Sequence, residues 1–248
     1  MLAIIGGNGM AQLPGLEISY RKIIRTPYGE PSGPFTFGKI RGHEIAFLGR
    51  HGHNLTIPPH AINYRANIWA LHSLKPSHVI AITSVRGIHA DLIPGRLVIP
   101  NQIIDYTYGR KVTFFEDTEQ RFKQVDFSLP YSQETRHLLL QGARDANTEV
   151  IDGGVYAATQ GPRLETVAEI NRIERDGADM VGMTGMPESV LAREMALNYA
   201  TIAVVVNYAA GRRMCGEDKC LDEIYTVMEQ AMVKVRRILE YVVSCYGD

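Results

Sequence analysis

The sequence predicts an α/β protein with a largely parallel central sheet. Three observations carry that reading. Short apolar runs with β-branched residues recur along the chain. Segments with apolar residues at 3–4 spacing alternate with them. No low-complexity linker, charge block or internal repeat divides the chain, so residues 1–248 are expected to form one domain. With 248 residues, 45% of them hydrophobic, the chain can bury a sizeable core.

The elements follow in order. LAIIGG (2–7) and HEIAFLG (43–49) are apolar runs that stop at glycine and read as strands. HAINYRANIWALHSL (60–74) has helical periodicity, and HVIAITSV (78–85) and RLVIPNQII (96–104) return to strand-like runs. SQETRHLLLQGARD (132–145) is helical, GVYAAT (154–159) a strand, and ETVAEINRIERDG (165–177) helical again. ADMVGM (178–183) then precedes a helix over 187–200, which starts near Pro187, a residue suited to a first helical turn. ATIAVVVN (200–207) is the most strand-like run. The last helix, about 221–243, carries Ile224, Val227, Met228, Met232, Val235, Ile238, Leu239 and Val242, one apolar stripe.

Composition excludes several function classes. A formal net charge of −1 leaves no basic surface for nucleic acid or an anionic membrane. No apolar run approaches the ~20 residues that span a bilayer. The start, MLAIIGGNGM, lacks the basic and long apolar regions of a signal peptide. Cys215, Cys220 and Cys245 form no CxxC pair, so reduced thiols in a cytoplasm are expected.

In α/β folds, sites lie where strands end and loops begin. The first strand ends in GGNG, whose glycines can turn tightly and present N–H groups to an anion. A dinucleotide fingerprint fails on spacing, because position 12 is Gln, and no Walker lysine follows. The second strand ends in GRHGHN, where Arg50 and His51 offer donors and Arg suits a phosphate. A metal on His51, His53 and His60 competes weakly, since an adjacent Arg repels a cation. ITSVRG supplies the Ser84 hydroxyl and, at Gly87, a turn. GMTGMPES puts Thr184 just before a helix, either as an anion contact or as a plain cap. Asn207 ends an apolar run and must find partners, because an unpaired buried amide costs ~1–3 kcal/mol.

These motifs carry a family resemblance. GRHGHNLTIPPHAINYRANIWAL, TSVRGIHADLIPGRLVIPNQIID, TQGPRLETVAE and GADMVGMTGMPESVLARE closely resemble the purine nucleoside and methylthioadenosine phosphorylases. TPYGEPSG (26–33) fits the methylthioadenosine branch. The likeness runs from residue 3 to about 240. It implies a single-domain nucleoside phosphorylase fold, with a mixed, largely parallel sheet flanked by helices, in a homotrimer. It implies phosphorolysis of a small-molecule nucleoside, with inorganic phosphate as co-substrate and neither metal nor organic cofactor. By motif match the phosphate ligands are Asn8, Arg50, His51, Ser84, the backbone at Val85, and Thr184, with Met183 along the ribose. Asn8 departs from the Ser or Thr usual in the family, but an amide can still donate.

The resemblance also bears on the substrate. The adenine-releasing branch ends the last strand with Asp-x-Asp, where this chain has Asn207, Tyr208 and Ala209. An amide can donate to a 6-oxo group and accept from N7–H. Leu164 and Glu165 match the place where the 6-oxopurine branch carries an aromatic residue and then Glu, and a carboxylate there can accept N1–H. For Glu165 the alternative is a first-turn helix acid. The purine nucleoside branch holds the 5′-hydroxyl with a His that falls here on Leu221, near apolar Ile224, a pair suited to a methylthio group. The alternative is simple packing of the last helix. Together these features imply 5′-methylthioinosine as substrate, giving hypoxanthine and 5-methylthioribose 1-phosphate. The rivals are methylthioadenosine, inosine or guanosine as substrate, and, in another class, an inactive nucleoside-binding protein.

Overall fold

Leu2 and Ile4 face one side of a central sheet, and Ala3 and Ile5 face the other. This alternation with buried residues on both faces marks the middle strands of a three-layer α/β fold. The computed structural model describes residues 1–7, 13–52, 54–116, 124–212 and 221–245.

Among the described residues, eleven strands form one sheet. They are β1 (Leu2–Gly6), β2 (Glu17–Lys22), β3 (Phe35–Ile40), β4 (His43–Gly49), β5 (His78–Gly87), β6 (Leu97–Ile99), β7 (Gln102–Asp105), β8 (Ile151–Asp152), β9 (Val155–Ala158), β10 (Met180–Gly182) and β11 (Tyr199–Tyr208). The helices are α1 (Tyr64–Ser73), α2 (Gln133–Asp145), α3 (Val167–Arg175), α4 (Gly185–Glu194) and α5 (Leu221–Ser244). The main path runs β2-β3-β4-β1-β5-β10-β9-β7, and β11 branches from β5 towards β6 and β8. The sheet is mixed: β1 is parallel to β4 and β5, whereas β10 meets β5 antiparallel.

The helices cover both faces. Met228, Met232, Val235, Ile238 and Leu239 of α5 pack with Leu139 and Leu140 of α2 against Ile4, Ile80, Ile82 and Ile202. On the opposite face, Ile68 and Leu71 of α1 and Leu191 and Ala192 of α4 pack against Ile5, Leu48 and Val79. Each Leu or Ile side chain so buried contributes about 1.5–3 kcal/mol.

Three expectations about elements need correction. The hairpin partners β2 and β3 had no counterpart in the sequence reading: every residue of β2 is exposed, and the alternation in EISYRK is limited to Ile18 and Tyr20. The 96–104 run is not one strand but two, β6 and β7, broken at Pro100 and Asn101. Proline has no N–H for the ladder, and the two pieces pair with different partners, β6 with β11 and β8 and β7 with β9. The 187–200 helix ends at Glu194, Ala196 adopts φ +53°, and Tyr199 already belongs to β11. Pairing of Tyr199 and Ala200 with Val79 and Ile80 outweighs the helical pattern there.

Candidate active site

The C-terminal ends of β4, β5, β10 and β11 meet around a cavity of about 360 Å³. Its walls include His51, Ser84, Val85, Leu164, Met183, Thr184 and Ile224. Seven residues singled out from sequence therefore converge on one space, and the volume is that of a small-molecule site.

The anion end is built from short-range order. Gly7 lies where an added Cβ would come within 2.6 Å of the Ile82 carbonyl, so only glycine lets the β1 turn approach β5 this closely. His51 Nδ1 lies 2.8 Å from the Ile57 carbonyl, and the Ile57 N–H donates to the His51 carbonyl at 3.1 Å. These two bonds close the loop after β4. A carbonyl only accepts, so Nδ1 carries the hydrogen and Nε2 is the free nitrogen. Burial, then the Arg50 charge, lowers the His51 pKa. With the hydrogen on Nδ1 and the pKa lowered, Nε2 offers a lone pair where the sequence reading expected a donor.

Thr184 is the residue before α4, yet its side chain makes no capping bond. Its hydroxyl lies 3.0 Å from the Thr83 hydroxyl, buried. The helical conformation starts only at Pro187, since Met186 has φ −118° and ψ 139°. Both residues line the cavity, and Thr83 was not anticipated.

Arg50 does not line the cavity. Its Nε and Nη2 donate to the two Glu188 carboxylate oxygens at 2.5 and 2.7 Å, and Nη1 donates to the Ile82 carbonyl at 3.2 Å. Both side chains are 1% exposed, so little solvent screens the pair. Burial pulls the Arg50 pKa down, and the Glu188 carboxylate overrides that and raises it. Tyr199 also donates to Glu188, at 2.8 Å. The expectation of a guanidinium free for bidentate phosphate binding is corrected here: the fork is filled by Glu188, and Arg50 sits behind the wall.

The base end is divided. Leu164 is on the cavity rim, 52% exposed. Glu165 lines an adjoining hollow with Tyr106, Tyr108 and Gln160, and accepts from the Thr159 hydroxyl at 2.6 Å. Asn207 lies opposite Arg86 in the β11–β5 register. Its Oδ1 accepts the Tyr208 N–H at 2.9 Å, leaving one lone pair and both amide hydrogens. A register shift between Val205 and Asn207 leaves Val206 as an extra residue, and Val206 lines the cavity. Ala209 is buried beside Ile88, Ile170 and Val181, away from the wall. Asn8 lies outside the described residues. So does the Leu221 side chain, although its backbone opens α5.

Met228, one turn beyond Ile224, joins the apolar wall. Arg110 was also missed. It donates to the carbonyls of Met183 (2.8 Å), Met186 (2.5 Å), Thr159 (3.3 Å) and Gln160 (2.7 Å). It also reaches Gln160 Oε1 at 3.0 Å and the Tyr64 hydroxyl at 3.3 Å. One side chain thereby ties the loop after β9 to the loop after β10. Among the described residues, no group of three His, Cys, Asp or Glu could hold a metal ion. No helix among them is long and apolar enough to cross a membrane. Cys245 is an exposed free thiol, and Cys215 and Cys220 lie outside the described residues.

A cavity at the strand ends, lined by both polar and apolar side chains, is the small-molecule site of an α/β enzyme. The comparisons with known proteins specify it further. A model of the phosphorylase superfamily matches residues 2–244. A probable S-methyl-5′-thioinosine phosphorylase of Pseudomonas syringae is 48% identical over 98% of both chains. A 6-oxopurine nucleoside phosphorylase of Pyrococcus furiosus is 41% identical over 96% of this chain and 90% of that one. The solved methylthioadenosine phosphorylase of Schistosoma mansoni superposes with a TM-score of 0.92 at 31% identity, covering 99% of this chain and 91% of that one. The chain belongs to the phosphorylase superfamily and is a pentosyltransferase of the nucleoside phosphorylase type.

Proposed function

We propose that the protein cleaves 5′-methylthioinosine with inorganic phosphate, releasing hypoxanthine and 5-methylthioribose 1-phosphate. The observation that carries this reading is the mixed lining of the cavity. Ser84, Thr83, Thr184 and His51 supply polar groups, with the Thr83 and Thr184 hydroxyls in contact, while Ile224 and Met228 of α5 supply apolar surface. An apolar wall favours a methylthio group over a hydroxyl, which would lose its water partners there. Several relatives 48–50% identical bear names that specify the same nucleoside.

In this reading phosphate sits against Ser84, the Val85 backbone and Thr184, with one oxygen near His51 Nε2. By motif match Asn8 completes the set. Arg50 and Glu188 hold β4 and α4 in place behind it. Met183 lies along the ribose. As the N-glycosidic bond breaks, the sugar becomes cationic and the purine anionic. Phosphate faces the cation and then bonds to it, so the chemistry is positioning and electrostatics. It requires no metal, no organic cofactor and no covalent enzyme intermediate. Leu164, Glu165, Asn207 and Ala209 shape the base end, with Glu165 accepting N1–H and Asn207 donating to O6. The family resemblance assigns Leu221 to the same methylthio end as Ile224.

A cytoplasmic homotrimer belongs to the same reading, supported by the family resemblance and by the exposure of Leu164 on the rim, which a neighbouring copy would cover. Sedimentation at equilibrium tests it, a monomeric mass arguing against.

The deciding measurement is phosphate-dependent base release from methylthioinosine, methylthioadenosine and inosine. Methylthioinosine is expected to be fastest. Faster cleavage of methylthioadenosine overturns the assignment to an oxopurine, and faster cleavage of inosine overturns the methylthio pocket.

A further inference from the structure

We propose that Arg86 is a base-reading residue, whose guanidinium donates to the 6-oxo group of the purine and selects against a 6-amino group. This inference rests on the oxopurine reading above and adds the donor that enforces it.

The placement comes from β5. Thr83, Ser84, Val85 and Arg86 are consecutive on that strand, and all four line the cavity. At a strand rise of ~3.3 Å per residue, Arg86 stands ~7 Å along β5 from the Ser84 hydroxyl. It is therefore displaced from the anion end towards the base end. Its register partners are Asn207 on β11 and Val181 on β10. Glu165 is the charge that acts on it from the loop after β9. Arg86 thus lines the cavity, with Asn207 beside it in the register and Glu165 in the adjoining hollow.

Arg86 is half-buried, and its guanidinium makes no hydrogen bond to another described residue. Burial lowers its pKa and Glu165 opposes that change, but an arginine stays charged at neutral pH. A partly desolvated guanidinium with unused donors is costly until an acceptor reaches it. Arg110, by contrast, spends its donors on six acceptors of the surrounding loops.

The chemistry of the two bases then decides the ligand. A guanidinium only donates, and an ionised carboxylate only accepts. An oxopurine offers an acceptor at O6 and a donor at N1–H, matching Arg86 and Glu165 in turn. Adenine offers the reverse, a donor at the 6-amino group and an acceptor at N1, and would face like against like at both. Negative charge also grows on the departing oxopurine and reaches O6. A cation fixed there stabilises the transition state more than the ground state.

The test compares wild type, Arg86→Met and Arg86→Lys, each as the full chain, in phosphate-dependent cleavage of methylthioinosine and methylthioadenosine. Arg86→Met is expected to lose about 10- to 100-fold in kcat/KM for methylthioinosine, the range of a lost charge-assisted hydrogen bond. Cleavage of methylthioadenosine should stay level or rise, and Arg86→Lys should retain part of the oxopurine rate. Titration calorimetry with free hypoxanthine and free adenine gives a second readout, with only hypoxanthine binding weakened. Equal losses on both bases, or none, overturn the role of Arg86. A wild-type preference for methylthioadenosine would instead overturn the functional reading itself, so the two failures are distinct.

Discussion

Arg50 and Glu188 are 138 residues apart in sequence and meet as a two-pronged ion pair, at 2.5 and 2.7 Å, behind the cavity wall. The pair joins the end of β4 to the first full turn of α4. Removing one partner leaves the other charge buried and unpaired. Glu188→Gln is expected to cost about 3 kcal/mol of stability, read by urea unfolding. A change under about 1 kcal/mol would mean that water reaches Arg50.

Thr184 shares its buried hydroxyl with Thr83 and caps no helix. Thr184→Val should raise the KM for phosphate about tenfold with little change in melting temperature, one lost hydrogen bond to a charged ligand. Thr184→Ser should keep the wild-type KM. A large fall in melting temperature with an unchanged phosphate KM would point to a purely structural hydroxyl.

Two imidazoles set the acid limit. Burial is the main cause that lowers the pKa of both His51 and His78. Their folded-state pKa values lie below those of the unfolded chain, so on acidification the unfolded chain takes up protons first. The stability is complete above the ordinary histidine value near 6.5 and falls as pH drops through it. His78 donates from Nδ1 to the Thr135 hydroxyl, which donates on to the Asn198 carbonyl at 3.0 Å. His78→Gln lies outside the cavity and should flatten the fall in melting temperature between pH 7 and 5. An unchanged slope would assign the effect to other groups.

Arg110 binds the two loops that carry Glu165 and Met183. Arg110→Lys should not rescue Arg110→Ala, because an ammonium has three donors and cannot span acceptors on both loops. Both variants are expected to raise the nucleoside KM about tenfold or more. Full rescue by lysine in steady-state kinetics would contradict the stapling role.

The base-end assignment has its own double variant. Asn207→Asp with Glu165→Ser should move preference towards methylthioadenosine in the base-release assay. Unchanged selectivity would mean that other residues read the purine.

What the sequence made legible follows from the range of the forces involved. His51, Ser84, Val85 and Thr184 sit at strand ends, and strand ends are visible as apolar runs that stop. Ile224 was visible through the α5 stripe, and Met228 belongs to the same stripe one turn on. Glu188 was not legible, because an acid in a first helical turn is also what the helix dipole favours, and nothing local says that its partner is Arg50. Arg110 was hidden for the same reason: its acceptors lie 46 to 76 residues away and are mostly backbone. The β11 bulge at Val206 is a product of pairing with β5, which no single run encodes. Strand β2 is exposed along its whole length and carries only Ile18 and Tyr20 as apolar residues, too short a signal to read.

The anchoring of Arg110 on main-chain carbonyls has an evolutionary corollary. Four of its six acceptors are present whatever side chains occupy positions 159, 160, 183 and 186. Mutation can therefore explore those positions, and with them substrate range, while the clamp that keeps both loops in register stays intact. A lineage built on such a clamp can drift from one nucleoside to another without first losing its scaffold.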